Sequence, residues 1–254
     1  MAEPVRKMPA DLEMDFSSPG ADPFRYGWRP RYVRLPSGEV TEQQIPLTPE
    51  DLLDPQPGDV VVQSWLHGDF ANMIYEMLKE HFEDHDDVLV TFDVKMLWGI
   101  PGLSNPAPDL SIIRGLRRKI DPARTIFDVL REGARPCLIL EVVSPSDPET
   151  RHNDYERKVE IYERARIPEY VILEPPQPVN EERLLLTGYR LGPDGRYQRI
   201  AADSEGRLPS ETTGLLFGVA EDGRTLHILD AATGERLLTR KELRAELNRL
   251  KSSE

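Results

Sequence analysis

The chain has 254 residues, 39% of them hydrophobic, and a formal charge of −13. This length makes one large domain, or one domain with trimmings, with enough apolar residues for a core. The acidic total excludes a protein that coats nucleic acid through bulk charge, although a locally positive or metal-charged cleft stays compatible with it.

Cys137 is the single cysteine, so no internal disulfide forms, and a reducing cytoplasm is the expected setting. Its place in an apolar run marks a small buried hydrophobe rather than a nucleophile. No signal peptide is expected, because the start of the chain lacks an apolar stretch, and no run approaches the roughly 20 residues of a membrane span.

Residues 1–60 are rich in Pro, Gly, Asp and Glu and show no sustained periodicity. They read as an N-terminal arm that packs on the domain or stays loose. Trp28, Tyr32 and Val33 suggest a short docked piece, and Thr48-Pro49 a single helical turn. A core spanning residues 61–200 follows.

Residues 64–82 read as the first long helix. Ser64 is the N-cap, and Phe70, Ile74, Met77, Leu78 and Phe82 form its apolar face. His67 in the first turn either bonds backbone there or stands beside a functional site. Residues 88–98 alternate between two faces, as in a half-buried strand antiparallel to its neighbour. After a loop of Gly, Pro, Ser and Asn, residues 109–113 form the next strand, with Asp109, Ser111 and Ile113 on one face. The run Arg114, Arg117, Arg118, Lys119 is the most basic in the core. It is either a solvated loop or a set of phosphate contacts.

Residues 137–143 are apolar except for Glu141. Asp147 and Pro148 open a helix running to about Arg166, and residues 170–173 are a second apolar run. Strand, helix and strand make a βαβ crossover buried on both faces. A carboxylate inside such a strand is costly unless it is paired or bound to metal. If the two strands are neighbours, Asp109 and Glu141 converge, which suits a hard divalent cation. A partnership of Glu141 with Arg135 or Arg151 is the plainer alternative. Asp154 and Lys158 are four apart and would otherwise form an exposed helical pair.

Beyond Pro175 the texture changes to short strands at residues 184–191, 195–200, 215–219 and 226–229, separated by turns. Residues 201–238 thus read as a β-hairpin extension. Residues 239–254 form a charged C-terminal helix with Leu243, Leu247 and Leu250 in a stripe.

Three segments together resemble a known family: Pro108-Asp109, then Glu141-Val142-Val143-Ser144-Pro145-Ser146, then Asp154 through Lys158 to Tyr162. They resemble the putative restriction endonuclease family of the PD-(D/E)XK nuclease superfamily, over roughly residues 60–200. The resemblance implies an α/β, restriction-endonuclease-like fold: a mixed sheet of four to five strands flanked by helices, with added hairpins and a short C-terminal helix. It implies Asp109, Glu141 and Lys158 as catalytic residues. It also implies magnesium or manganese held by Asp109, Glu141 and the Val142 carbonyl, with His67 and Asp154 as auxiliaries. The superfamily pattern places lysine two residues after the glutamate, where this chain has Val143. The resemblance implies that Lys158, from the following helix, fills that role. The implied activity is metal-assisted hydrolysis of DNA phosphodiester bonds by a homodimer. The competing reading is a catalytically silent binding or assembly module on the same fold.

Overall fold

The structure is a computed structural model that describes residues 22–144, 147–176 and 183–252. The first 21 residues of the expected arm, and Pro145 and Ser146 of the motif, lie outside the described residues. The chain divides into two units, one ending at Gln63 and the other beginning at Ser64.

The first unit contains three strands where the sequence showed no periodicity. They are β1 (Gly27–Arg34), β2 (Val40–Pro46) and β3 (Val60–Val61), in the order β2-β1-β3. Pairing runs antiparallel from Trp28 opposite Pro46 to Arg34 opposite Val40. Much of this sheet is exposed, Tyr32 by 70%, so no buried face imposes a period of two on the sequence. Arg29 clamps Asp59 through two hydrogen bonds of 2.7 and 2.8 Å. Gly27 has φ +105°, and a Cβ there would lie 1.8 Å from the Val60 carbonyl oxygen, so only glycine fits. The turn expected at Thr48-Pro49 is a 3-10 turn slightly later, at Asp51–Leu53.

The second unit begins with α1 (Trp65–His81), β4 (Val88–Phe92), β5 (Lys95–Leu97), β6 (Leu110–Arg114), β7 (Ile126–Asp128) and α2 (Val129–Glu132). The crossover follows: β8 (Pro136–Val142), α3 (Pro148–His152), a π-helical turn (Asn153–Arg157), α4 (Lys158–Arg164) and β9 (Glu169–Glu174). Then come β10 (Leu185–Leu191), β11 (Tyr197–Arg199), β12 (Leu208–Ser210), β13 (Leu215–Val219), β14 (Leu226–Asp230) and α5 (Arg240–Lys251).

The central sheet has six strands in the order β11-β10-β9-β8-β6-β4, more than the four to five expected. Only β8 and β9 run parallel; every other neighbouring pair is antiparallel, so the sheet is mixed. After Pro175, β10 and β11 extend the central sheet, and β12, β13 and β14 form a separate one. The expected single strand over residues 88–98 is two. Asp93, with φ +51°, breaks it, and β5 leaves the central sheet to pair with β7. Aspartate is among the few residues that visit this left-handed region at modest cost.

Each face of the central sheet is buried differently. Ala71, Ile74, Met77, Leu78 and Phe82 of the first long helix region cover one face. They meet Leu110, Ile112, Leu138, Leu140, Val142, Val171 and Leu173, with the β12–β14 sheet closing the same cluster. Strand alternation turns Ser111, Ile139, Glu141, Tyr170 and Ile172 to the opposite face. There Tyr162 of α4 packs edge-on against Tyr170 at 4.9 Å and Trp98 at 6.1 Å.

Glu169, fully buried at the start of β9, shows how a carboxylate is accommodated structurally in this fold. It accepts hydrogen bonds from Ser210 Oγ and Thr212 Oγ1 (both 2.6 Å), Arg190 Nε (2.9 Å) and two backbone N–H groups. Burial pushes its carboxyl upward, but these donors outweigh burial and hold it below the usual range. The stability they contribute is therefore present above the unfolded value of about 4.3 and is lost as pH falls through the lower folded value. Replacing Glu169 by Gln is expected to cost about 3 kcal/mol near neutral pH. In urea titrations the gap to wild type should narrow as pH falls below about 4.

Candidate active site

The site grows from the place where the β6–β8 ladder stops. Backbone pairing ends at Leu110 opposite Leu140. Just beyond it, side chains replace main-chain partners in both directions. Asp109 Oδ2 accepts the Val142 N–H at 2.7 Å, and Glu141 Oε2 accepts the Asp109 N–H at 3.3 Å. The expected convergence of Asp109 and Glu141 thus takes the form of a reciprocal exchange between neighbouring strands. Pro108, which has no N–H, immediately precedes it.

His67 enters from the first turn of α1. Ser64 Oγ caps the helix by accepting the His67 N–H at 3.2 Å, and the imidazole Nε2 then lies 3.0 Å from Asp109 Oδ2. Of the two positions open to His67, the structure has the one at the site. Its Nδ1 is buried without a hydrogen-bond partner.

From the other side come Lys158 and Tyr162. Lys158 Nζ lies 3.0 Å from Glu141 Oε2 and 2.8 Å from Asp154 Oδ1, and the Tyr162 hydroxyl donates to Glu141 Oε1 at 2.6 Å. Asp154 is buried and the Lys158 side chain is only 14% exposed, so theirs is not an exposed helical pair. The π-helical turn Asn153–Arg157 lies immediately before Lys158, and both Asn153 and Asp154 are buried in it. Spacings of four place Asp154, Lys158 and Tyr162 on one face of the helix, the face turned to the site. Tyr170 donates to the Asp154 carbonyl oxygen at 2.8 Å and helps hold the turn.

The alternative partners of Glu141 are occupied elsewhere. Arg135 bonds the Ala165 carbonyl, and Arg151 pairs with Glu174 at 3.1 Å. The basic run lies apart as well. Arg114 ends β6, at the opposite end from Asp109, and stacks over Phe82. Arg118 pairs with Glu132 at 2.5 Å, Lys119 with Asp86 at 3.2 Å, and Arg117 is exposed.

One member was not singled out from sequence. Asp93, the left-handed residue that ends β4, donates its N–H to the Asp109 carbonyl at 3.1 Å. Its residue surface is exposed, yet protein crowds the carboxyl and the Asp109 charge faces it, and together they push it up to about 6. The strand alternation concealed it. The available signal was an acidic residue with turn propensity within an otherwise apolar run.

The cluster is short of positive charge. Burial pushes Glu141 up to about 8, with Lys158 opposing and Asp109 and Asp154 adding to the shift. Asp154 is likewise raised, by burial. Asp109 is held down, because the His67 and Lys158 charges and the Val142 N–H outweigh its burial. Lys158 is raised despite burial by Asp154, Glu141 and Asp109, and so remains an ammonium. Among the described residues, no three His, Cys, Asp or Glu side chains are grouped to hold a metal ion. The donor chemistry of Asp109 and Glu141, hard oxygens carrying excess negative charge, nevertheless suits a divalent cation.

The family model Uma2, described as "Putative restriction endonuclease", matches residues 36–227. Among solved structures, a putative nuclease belonging to DUF820 from Anabaena variabilis is similar. It has 11% identity and a TM-score of 0.38 over 71% of this chain and 81% of that one. No curated protein matches.

Replacing Lys158 by Met keeps the length and removes the ammonium. Breaking this buried pair is expected to cost about 3–5 kcal/mol. Glu141 and Asp154 would then hold protons to still higher pH than they would unfolded. A group of that kind supports folding below its unfolded value and loses that support as pH rises. In chelator, urea titrations should therefore show the smallest loss near pH 5 and the largest near pH 8.

Proposed function

We propose, from the premise that the chain belongs to the Uma2 putative restriction endonuclease family, that it hydrolyses DNA phosphodiester bonds with magnesium or manganese. The observation that carries this reading is Lys158 Nζ, 3.0 Å from Glu141, in the same cluster as an Asp109 tied across the strand gap to Val142.

Asp109 and Glu141, with the Val142 carbonyl, would hold the ion. When bound, it supplies positive charge and a water of lowered pKa. The remaining work belongs to the chain. Lys158 offsets negative charge gathering on the phosphoryl oxygens or orients the attacking water. Asp154 fixes Lys158 at 2.8 Å. His67 sets the rotamer of Asp109, and Tyr162 that of Glu141. Arg117, exposed in the basic run, would contact a phosphate backbone.

A homodimer accounts for cutting two strands with one site per chain. The lone cysteine favours the cytoplasm. Among the described residues, no helix is long and apolar enough to cross a membrane.

One observation favours a silent binding module instead: Val143, fully buried, occupies the place of the superfamily lysine. Plasmid nicking separates the two readings. With magnesium or manganese, wild type should nick supercoiled DNA. Asp109→Asn, Glu141→Gln and Lys158→Met should each lose roughly 100-fold or more in rate. Calorimetry should show manganese binding that disappears in Glu141→Ala. Binding without nicking would leave the module reading standing and remove the hydrolase.

A further inference from the structure

The C-terminal helix α5 is well made yet has no buried side chain. Thr239 and Glu242 form a capping box at its start, and Arg240 reaches Glu76 of α1 at 2.8 Å, so the helix is anchored at one end. Along it, Leu243, Leu247 and Leu250 are 41%, 51% and 55% exposed. Their spacing of four and then three places them at the d, a and d positions of a heptad. Isolated helices of this length are marginal in water, and an apolar stripe left open works against solubility.

The flanking charges name the occupant. In the same register Arg244 and Lys251 stand at successive e positions, and Glu246 at g. In a parallel pair, g of one helix faces e of the following heptad in the other, so Glu246 meets the Lys251 of a second copy, twice by symmetry. An antiparallel pair sets e against e and g against g, and therefore base against base and acid against acid. Glu246 also holds Arg249 of its own helix at 2.5 Å, but such an exposed pair is worth little and does not withdraw it.

We propose that α5 is a self-association surface, on which two copies of this chain pair through Leu243, Leu247 and Leu250 in parallel, with the twofold axis along the helices. The surface gives a location to the homodimer proposed above and rests on no part of the nuclease reading. With fewer than two heptads in α5, the association is weak and reversible.

Sedimentation of the full chain over a wide concentration range tests it. Wild type should show a reversible monomer–dimer equilibrium. Glu246→Lys and Lys251→Glu should each weaken it about tenfold, and the two together should restore it. Leu250→Cys should cross-link into a dimer on mild oxidation, whereas wild type, whose only thiol is Cys137, should not. A monomer at every concentration overturns the proposal, as does a dimer indifferent to both reversals. So does a dimer tightened by Lys251→Glu, which would mark the antiparallel arrangement. Nicking assayed on the same variants reports separately on the active site.

Discussion

Two hydrogen bonds in which carboxylates replace main-chain partners organise this molecule. Where β6 stops pairing with β8, Asp109 takes the Val142 N–H and Glu141 takes the Asp109 N–H. A buried N–H with no acceptor would cost about as much as a lost hydrogen bond, so this exchange closes the end of the ladder as a backbone pair would. Unlike a backbone pair, it leaves two acidic groups side by side in the interior. Both the site and its electrostatic strain follow from that substitution.

The surrounding groups fall into those that hold the carboxylates and those that compensate them. His67 and Tyr162 hold geometry, each bonding one carboxylate from a different element. Lys158 compensates charge, and spacings of four put Asp154, Lys158 and Tyr162 on one helix face. Compensation is incomplete: Glu141 is pushed up to about 8 and Asp93 to about 6. Glu169 in the same sheet is the contrast, since enough donors surround it to keep it below the ordinary range. A buried carboxylate with a full set of donors is structural. One left short of positive charge is where a cation or a developing charge gains most.

The two units differ in how they meet solvent, and that explains which strands were legible. β8 and β9 are buried on both faces and read as apolar runs, so the crossover could be inferred without coordinates. β1 to β3 are largely exposed, and their sequences carry no alternation to detect. β12 is three residues long and holds Pro209, too short and too irregular to stand out beside its neighbours. The break at Asp93 was hidden because alternation continued through it, from Phe92 to Val94 and Met96, as if the strand were whole.

By itself the sequence determined the crossover, the caps at Ser64 and Asp147, the apolar faces and the anomaly of a glutamate inside a buried strand. These depend on neighbours a few residues apart, and local propensity and burial pattern suffice for them. Only the tertiary structure decided that Lys158 rather than Arg135 or Arg151 meets Glu141, and that His67 turns to Asp109. It also decided that Asp93 joins the cluster and that Arg114 stands at the far end of its strand. Those outcomes depend on strand register and on the rotation of the helix that carries Lys158. A shift of one residue in either redirects a side chain to another face, and nothing nearby in the sequence specifies it.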